Sequence, residues 1–376
     1  MTPGAALHRR LLTLDAHLDA PVHFARAGWR FGERHALATD VAQVDLPRME
    51  DGNLSGGFFV TYVRQGALDM AGYAAALAAA HRRSGEIDAV LAAYPDRIEL
   101  ATTADDARRL HGEGRRIAFK SIENCYFLGE DLDLLDEFHR AGVRMAGLVH
   151  SRANQLADSA TDAARWGGLS PLGAQWVGKM NRLGMVIDAS HASDAAFDAI
   201  IDGSVAPIVL SHSGSRAIHD TPRNIDDGRL RALARTGGVA CFATIFLSDM
   251  HAGPERARLF DLHGRISDLA PDEQADLARR WAALDMVEPM WRASLDTFVD
   301  ALCHVIDVAG IDHVGIGADW DGGGGFPGMA DITVLPAITE RLMARGLSED
   351  ALAKLWSGNL LRVIAAAQSA TVAGGA

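Results

Sequence analysis

The stretch RLLTLDAHLD, residues 10–19, reads as an apolar strand that ends in a histidine and an aspartate two positions apart. Alternate residues of a strand share a face, so His17 and Asp19 point to one place. A single polar strand end is ordinary, because strands finish at loops and loops meet solvent. The pair gains meaning only from what the other strands do.

Seven more segments have the same character: GGFFVTYV (56–63), RIAFKSIE (116–123), VRMAGLVH (143–150), GMVIDASH (184–191), PIVLSHS (207–213), GGVACFATIF (237–246) and DHVGIGADW (312–320). Between them lie Ala- and Leu-rich segments of helical spacing at 69–94, 131–142, 170–184 and 193–204. Ser170 followed by Pro171 is a helix start, while Gly142 and Gly184 stand where helices stop. Eight strands alternating with helices predict a (β/α)8 TIM barrel, with a doubly wound open sheet as the competing arrangement. A long polar, helical insertion over 247–296 precedes the last strand, and it is expected to cover the site or form a subunit contact. Residues 1–376 read as one domain, and the small, polar tail 367–376 is expected to fray.

Composition narrows the function. Lys and Arg number 36 against 49 Asp and Glu, a formal charge of -13, which opposes the basic footprint of a nucleic-acid binder. Cys125, Cys241 and Cys303 are too few and too far apart for a disulfide framework or a Cys-x-x-Cys metal site. No apolar run reaches the length of a membrane span, and MTPGAALHRR lacks a signal-peptide core. The chain reads as soluble and cytoplasmic, with a periplasmic or exported location open if a targeting segment precedes it.

The strand ends carry the chemistry. His17 and Asp19 close the first strand, Glu123 the third, His150 the fourth, His191 the fifth, His212 the sixth and Asp319 the eighth. In a parallel barrel these ends meet on one face, where active sites of this fold are built. Taken singly, His150 and His191 could be core histidines bonded to backbone, His212 a turn residue and Asp319 a loop carboxylate. Structural accidents would scatter along the strands, whereas these residues recur at corresponding ends. A buried gathering of imidazoles and carboxylates needs a cation to offset its desolvation. Nitrogen and oxygen donors without thiolates suit catalytic zinc. The donors exceed one ion's needs, so two ions sharing Glu123, which lies between the two groups in strand order, account for the excess. Such a centre implies metal-assisted hydrolysis.

The segments DAHLD, SIEN, GLVHSRANQLADSA, LGMVIDASH, VLSHSGSRAIHDTPRN and HVGIGADWDG resemble, in order, the motifs of the membrane (renal) dipeptidase family of the amidohydrolase superfamily, over residues 11–365. That resemblance implies a zinc-dependent dipeptidase, tolerant of a D-residue at the carboxyl-terminal position. It implies that His17 and Asp19 hold one zinc, that His191 and His212 hold the other, and that Glu123 bridges them. His150 would bind the substrate and its oxyanion, Arg223 would grip the terminal carboxylate, and Asp319 would shuttle the proton. Ala16 and Leu18 replace the family's usual glycine and asparagine, and Asn124 follows the bridging glutamate where glycine is common. An amidohydrolase acting on a cyclic amide, a lactone or an N-acyl amino acid is the alternative, and a non-catalytic metal-holding protein a more distant one. A homodimer is compatible with the barrel, although no stripe in the sequence encodes one.

Overall fold

A computed structural model describes residues 2–373. Its sheet has nine parallel strands: β1 (Leu14–Leu18), β2 (Gly56–Tyr62), β3 (Ile98–Leu100), β4 (Arg116–Glu123), β5 (Val143–Gly147), β6 (Val186–Asp188), β7 (Val209–Ser213), β8 (Val239–Phe242) and β9 (Val314–Ile316). Eight of them follow one another around a barrel in the order β1-β2-β4-β5-β6-β7-β8-β9. The two ends meet where Leu18 pairs with Trp320 and the Asp19 N–H donates to the Trp320 carbonyl at 2.9 Å. The fold is a TIM barrel, and the eight segments read from the sequence are its staves.

β3 was absent from that reading. It is a three-residue Ile-Glu-Leu run that pairs only with the start of β4, too short to show an alternation. The barrel strands are nearly all buried, as strands covered on both faces must be; in β4 only Arg116 is part-exposed. Within β4, Ile117, Phe119, Ser121 and Glu123 share a face, so the strand runs from apolar to polar along the barrel axis. Phe119 stacks on Phe58 at 4.9 Å, in a floor that also contains Met145, Val186, Val209, Val239 and Leu360 and Ile364 of the last helix. That packed floor confines the polar strand ends to the opposite mouth.

Helix boundaries follow local chemistry. Asp69, Ser170 and Ser193 cap the helices Met70–Ala93, Pro171–Leu183 and Asp194–Gly203 through their side chains, and Gly184 ends the second at φ 65°. The last helix runs from Asn359 to Ala373, so residues 367–373 are helical where fraying was expected, and 374–376 lie outside the described residues. The 247–296 segment contains the helices Pro254–His263 and Pro271–Val287. It touches the loop after β1 through Ser267 to the Val22 carbonyl and Arg26 to Gln274, the loop after β2 through Arg64 to Asp261, and the loop after β9 through Trp291 to the Gly323 carbonyl. No helix among the described residues is long and apolar enough to cross a membrane.

Candidate metal centre

All seven polar residues at the strand ends converge at the carboxyl-terminal mouth. His17 Nε2 lies 3.3 Å from Asp19 Oδ2, 3.7 Å from Glu123 Oε2 and 3.8 Å from Asp319 Oδ1. On the other side, His191 Nε2 and His212 Nε2 are 2.9 Å apart and stand 3.0 and 3.3 Å from Glu123 Oε1. The two oxygens of Glu123 therefore face two different groups, one anchored on β1 and one on β6 and β7. His150 Nε2 is farther out, 3.9 Å from Glu123 Oε1, on a side chain that is 30 % exposed.

His17 Nε2 and Glu123 Oε1 are buried with no hydrogen-bond partner, a costly state unless something else satisfies them. The sets His17–Asp19–Glu123, Glu123–His150–His191 and His17–His212–Asp319 each bring ligand atoms within 4.8 Å of one another. An oxygen- and nitrogen-rich cluster of this kind fits divalent metal.

Behind the donors stands a layer that the strand-end pattern did not reveal. The Ser211 hydroxyl donates to Asp188 Oδ2 at 2.6 Å, and Asp188 Oδ1 accepts the Ser190 and Ser211 N–H groups at 2.9 Å. Having spent its one proton, Ser211 Oγ can only accept from His212 Nδ1 at 2.8 Å and His17 Nδ1 at 3.3 Å. Both imidazoles are thereby set with the Nε2 side toward the cluster. Asp15 accepts the His17 N–H at 2.9 Å and the Ala318 N–H at 3.2 Å, tying β1 to the end of β9; burial outweighs these bonds and raises its carboxyl to about 6. An acid within an apolar strand was the available signal for both Asp15 and Asp188. Ser211→Ala is expected to weaken metal retention by roughly 10- to 100-fold, read by competition with a chelator; wild-type retention would remove this orienting role.

The electrostatics also call for a cation. Burial opposes charge on His17, yet Glu123 and Asp19 raise it well above the usual imidazole range. Burial likewise works against the Glu123 carboxylate, but His150 and His17 hold it well below its ordinary value. His191 and His212 are driven well below theirs by burial, with Arg223 adding to the effect in both, and so remain neutral donors. Burial, with Asp19 and Glu123 alongside, pushes Asp319 well above the carboxylate range.

Backbone strain gathers here. Asn124, His191, Asp319 and Asp321 all have φ between 64° and 67°, conformations that persist only where surrounding structure enforces them. This explains Asn124: its position requires a left-handed backbone, which asparagine tolerates better than most residues. Its side chain adds a tie, donating to the Val63 carbonyl at 2.9 Å and accepting from Asn154 at 3.2 Å, on the loop that carries His150. After β9, Gly322 packs where any side chain would collide with the carboxylates of Asp19 and Asp319.

Arg223 is 4 % exposed, not the surface ion pair that an arginine in a loop commonly makes. Nη1 donates to Ser213 Oγ at 3.0 Å and Nη2 to the His212 carbonyl at 2.7 Å, while Nε has no partner. No carboxylate among the described residues pairs with it within 4.0 Å, so a buried cation beside the cluster is free to receive an anion.

The family model described as Membrane dipeptidase (Peptidase family M19) matches residues 2–373. Dipeptidase aclJ of Aspergillus oryzae is 30% identical over 366 residues, covering 94% of this chain and 78% of that protein. Dipeptidase tcpJ of Claviceps purpurea is 29% identical over 359 residues, covering 93% and 76%. Among solved structures, the probable dipeptidase PvdM from Pseudomonas aeruginosa superposes with a TM-score of 0.83 at 30% identity over 98% of both chains. A metallo peptidase from Rhodobacter sphaeroides, liganded with a phosphinate mimic of the dipeptide L-Ala-D-Ala, gives 0.75 at 26% identity over 95% of this chain and 99% of that one.

Proposed function

This chain belongs to the membrane dipeptidase family and is a metallo-dipeptidase, and we propose that it cleaves free dipeptides at two zinc ions that share Glu123. His17 and Asp19 would hold one ion and His191 and His212 the other. The observation that carries the reading is the division of Glu123, Oε2 toward His17 and Oε1 toward His191 and His212. When bound, such ions supply Lewis acidity and a water activated near neutral pH.

The remaining residues define the substrate and move its protons. Arg223 presents a buried guanidinium to the terminal carboxylate, and the planar fork fixes the peptide's direction as well as its charge. His150, at the mouth between Tyr62 and His191 with ring centroids 5.0 and 4.2 Å away, stands where it can donate to the carbonyl oxygen as negative charge develops. Asp319 takes the proton of the attacking water and returns it to the leaving amine. A D-residue at the carboxyl-terminal position is accepted on this reading, which finds support in the mimic bound by the Rhodobacter sphaeroides relative. The protein would act in the cytoplasm.

The test compares hydrolysis of a dipeptide with that of its carboxyl-terminal amide by the zinc-loaded protein. Arg223→Ala is expected to raise KM for the dipeptide by roughly 10- to 100-fold, the scale of a lost buried charge pair, and to change the amide far less. Equal losses on both would remove the carboxylate role from Arg223. Turnover of N-acyl amino acids or lactones in preference to every dipeptide would transfer the site to another amidohydrolase reaction.

A further inference from the structure

Asp319 rides on a turn that its own backbone does not hold. Asp319 and Asp321 both occupy the left-handed region, at φ 64° and 66°, a state that a residue other than glycine keeps only under outside constraint. The constraint acts on Asp321, whose side chain is fully buried. Gln43 meets it twice, its N–H donating to Asp321 Oδ1 at 2.6 Å and its Oε1 accepting the Asp321 N–H at 2.7 Å, and Gln43 Nε2 donates to the Gly324 carbonyl at 2.9 Å. His23 adds a third tie, Nε2 to Asp321 Oδ1 at 3.2 Å. Asp321 Oδ2 has no partner, and beyond it lies a largely apolar cavity of about 550 Å³ that the insertion walls together with Val41 and Phe326. The carboxylate is therefore fixed through Oδ1 alone.

His23 is placed to transmit position. It ends the short 3-10 helix Ala20–His23 that follows directly on Asp19, so it stands four residues from a proposed metal ligand while it holds the turn of the proton carrier. Arg26 Nη1 lies 3.3 Å from His23 Nδ1; a guanidinium only donates, so Nδ1 accepts and the ring proton sits on Nε2, facing Asp321. Arg26 is itself fixed, with its two Nη atoms on Asp40 at 2.8 and 3.0 Å and Nε on Gln274 Oε1 at 3.0 Å. Gln274 belongs to the insertion helix Pro271–Val287, is buried, and anchors its own amide on the Leu269 carbonyl at 2.9 Å. An unbroken path of hydrogen bonds thus joins the insertion to the turn of Asp319, through Gln274, Arg26, His23 and Asp321. There is little slack at its end, because Asp19 and Asp319 close on Gly322 and leave no room even for a methyl group.

We infer that His23 is a positioning residue for the proton transfer, holding Asp319 in place through Asp321, and that Gln274 of the insertion sets His23 through Arg26. The inference rests on Asp319 as the proton carrier. The hydrogen bonds of His23 reach Asp321 and Arg26 and no proposed ligand, so its effect on turnover passes through Asp319.

The experiment measures kcat, KM and bound zinc for the zinc-loaded full chain carrying His23→Phe, His23→Gln or Gln274→Leu, each alone and combined with Asp319→Asn. His23→Phe keeps the bulk of the ring and loses both nitrogens; it is expected to lower kcat by roughly ten- to a hundredfold, the scale of a misplaced catalytic group, with KM and zinc content near wild type. His23→Gln restores a donor toward Asp321 and an acceptor toward Arg26 and should recover most of that loss. Gln274→Leu should show the same loss in smaller measure. With Asp319→Asn in place, neither His23→Phe nor Gln274→Leu should lower kcat further, since the group they position no longer carries a proton. No loss from His23→Phe, equal losses in both backgrounds, or zinc content that falls with activity would make His23 a structural residue and overturn the inference. Should His23→Phe not fold, Gln274→Leu carries the same comparison from the insertion. A loss from His23→Phe beside a silent Gln274→Leu would cut the insertion out of the path. Full turnover by Asp319→Asn alone would remove the proton-carrier reading, and the inference with it.

Discussion

Glu123→Gln is expected to lower bound zinc from two ions per chain to one or none and to reduce kcat by on the order of a thousandfold or more. The substitution changes almost no volume, so the barrel should keep its shape; what it removes is one negative charge and one of two oxygen donors. Glutamine offers a single carbonyl oxygen, and its NH2 group would face either the His17 side or the His191–His212 side. Glu123 Oε1 stands 3.0 and 3.3 Å from two imidazole nitrogens and Oε2 3.7 Å from a third. Whichever way the amide turns, one set of donors loses its shared acid. Zinc per chain, measured by elemental mass spectrometry beside turnover, checks this. Two ions retained with full activity would end the shared-carboxylate assignment.

The legibility of the site follows from where its information lies along the chain. The eight barrel strands were readable because each is an apolar run of several residues, and the polar cluster because His17, Glu123, His150, His191, His212 and Asp319 recur at strand ends. β3 was not, since three residues of Ile-Glu-Leu carry no periodicity. The orienting layer of Asp15, Asp188 and Ser211 was missed for another reason. Those residues sit inside strands, where Ser211 looks like a small core residue, and their work depends on pairings across 23 positions for Asp188 with Ser211 and 194 for His17 with Ser211. Arg223 was named only through the resemblance, because nothing in its own loop sequence signals that the fold buries it. The insertion could be read as helical, but not as the wall of a cavity, because its partners Val41 and Phe326 come from loops far away in sequence.

Asp319→Asn is expected to behave differently from Glu123→Gln, and the contrast separates a proton carrier from a ligand. The side chain is isosteric, so the turn Asp319–Gly324, held by the Asp319 carbonyl accepting the Gly322 and Gly324 N–H groups, should persist. Asp319 already occupies φ 64°, a backbone state that asparagine adopts as readily. The change is confined to the proton: an amide can neither accept one from water nor pass it to the amine. Loss of general acid–base catalysis is worth roughly 10²- to 10⁴-fold, and the loss should fall on kcat while KM and the measured zinc content stay near wild type. The competing role is concrete, because Asp319 Oδ1 lies 3.8 Å from His17 Nε2 and its ligand atoms close a set with His17 and His212. If Asp319→Asn sheds zinc in proportion to its lost activity, Asp319 is a ligand and the proton must travel by another group. If both zinc ions remain and turnover falls a hundredfold or more, Asp319 is the proton carrier and not a ligand.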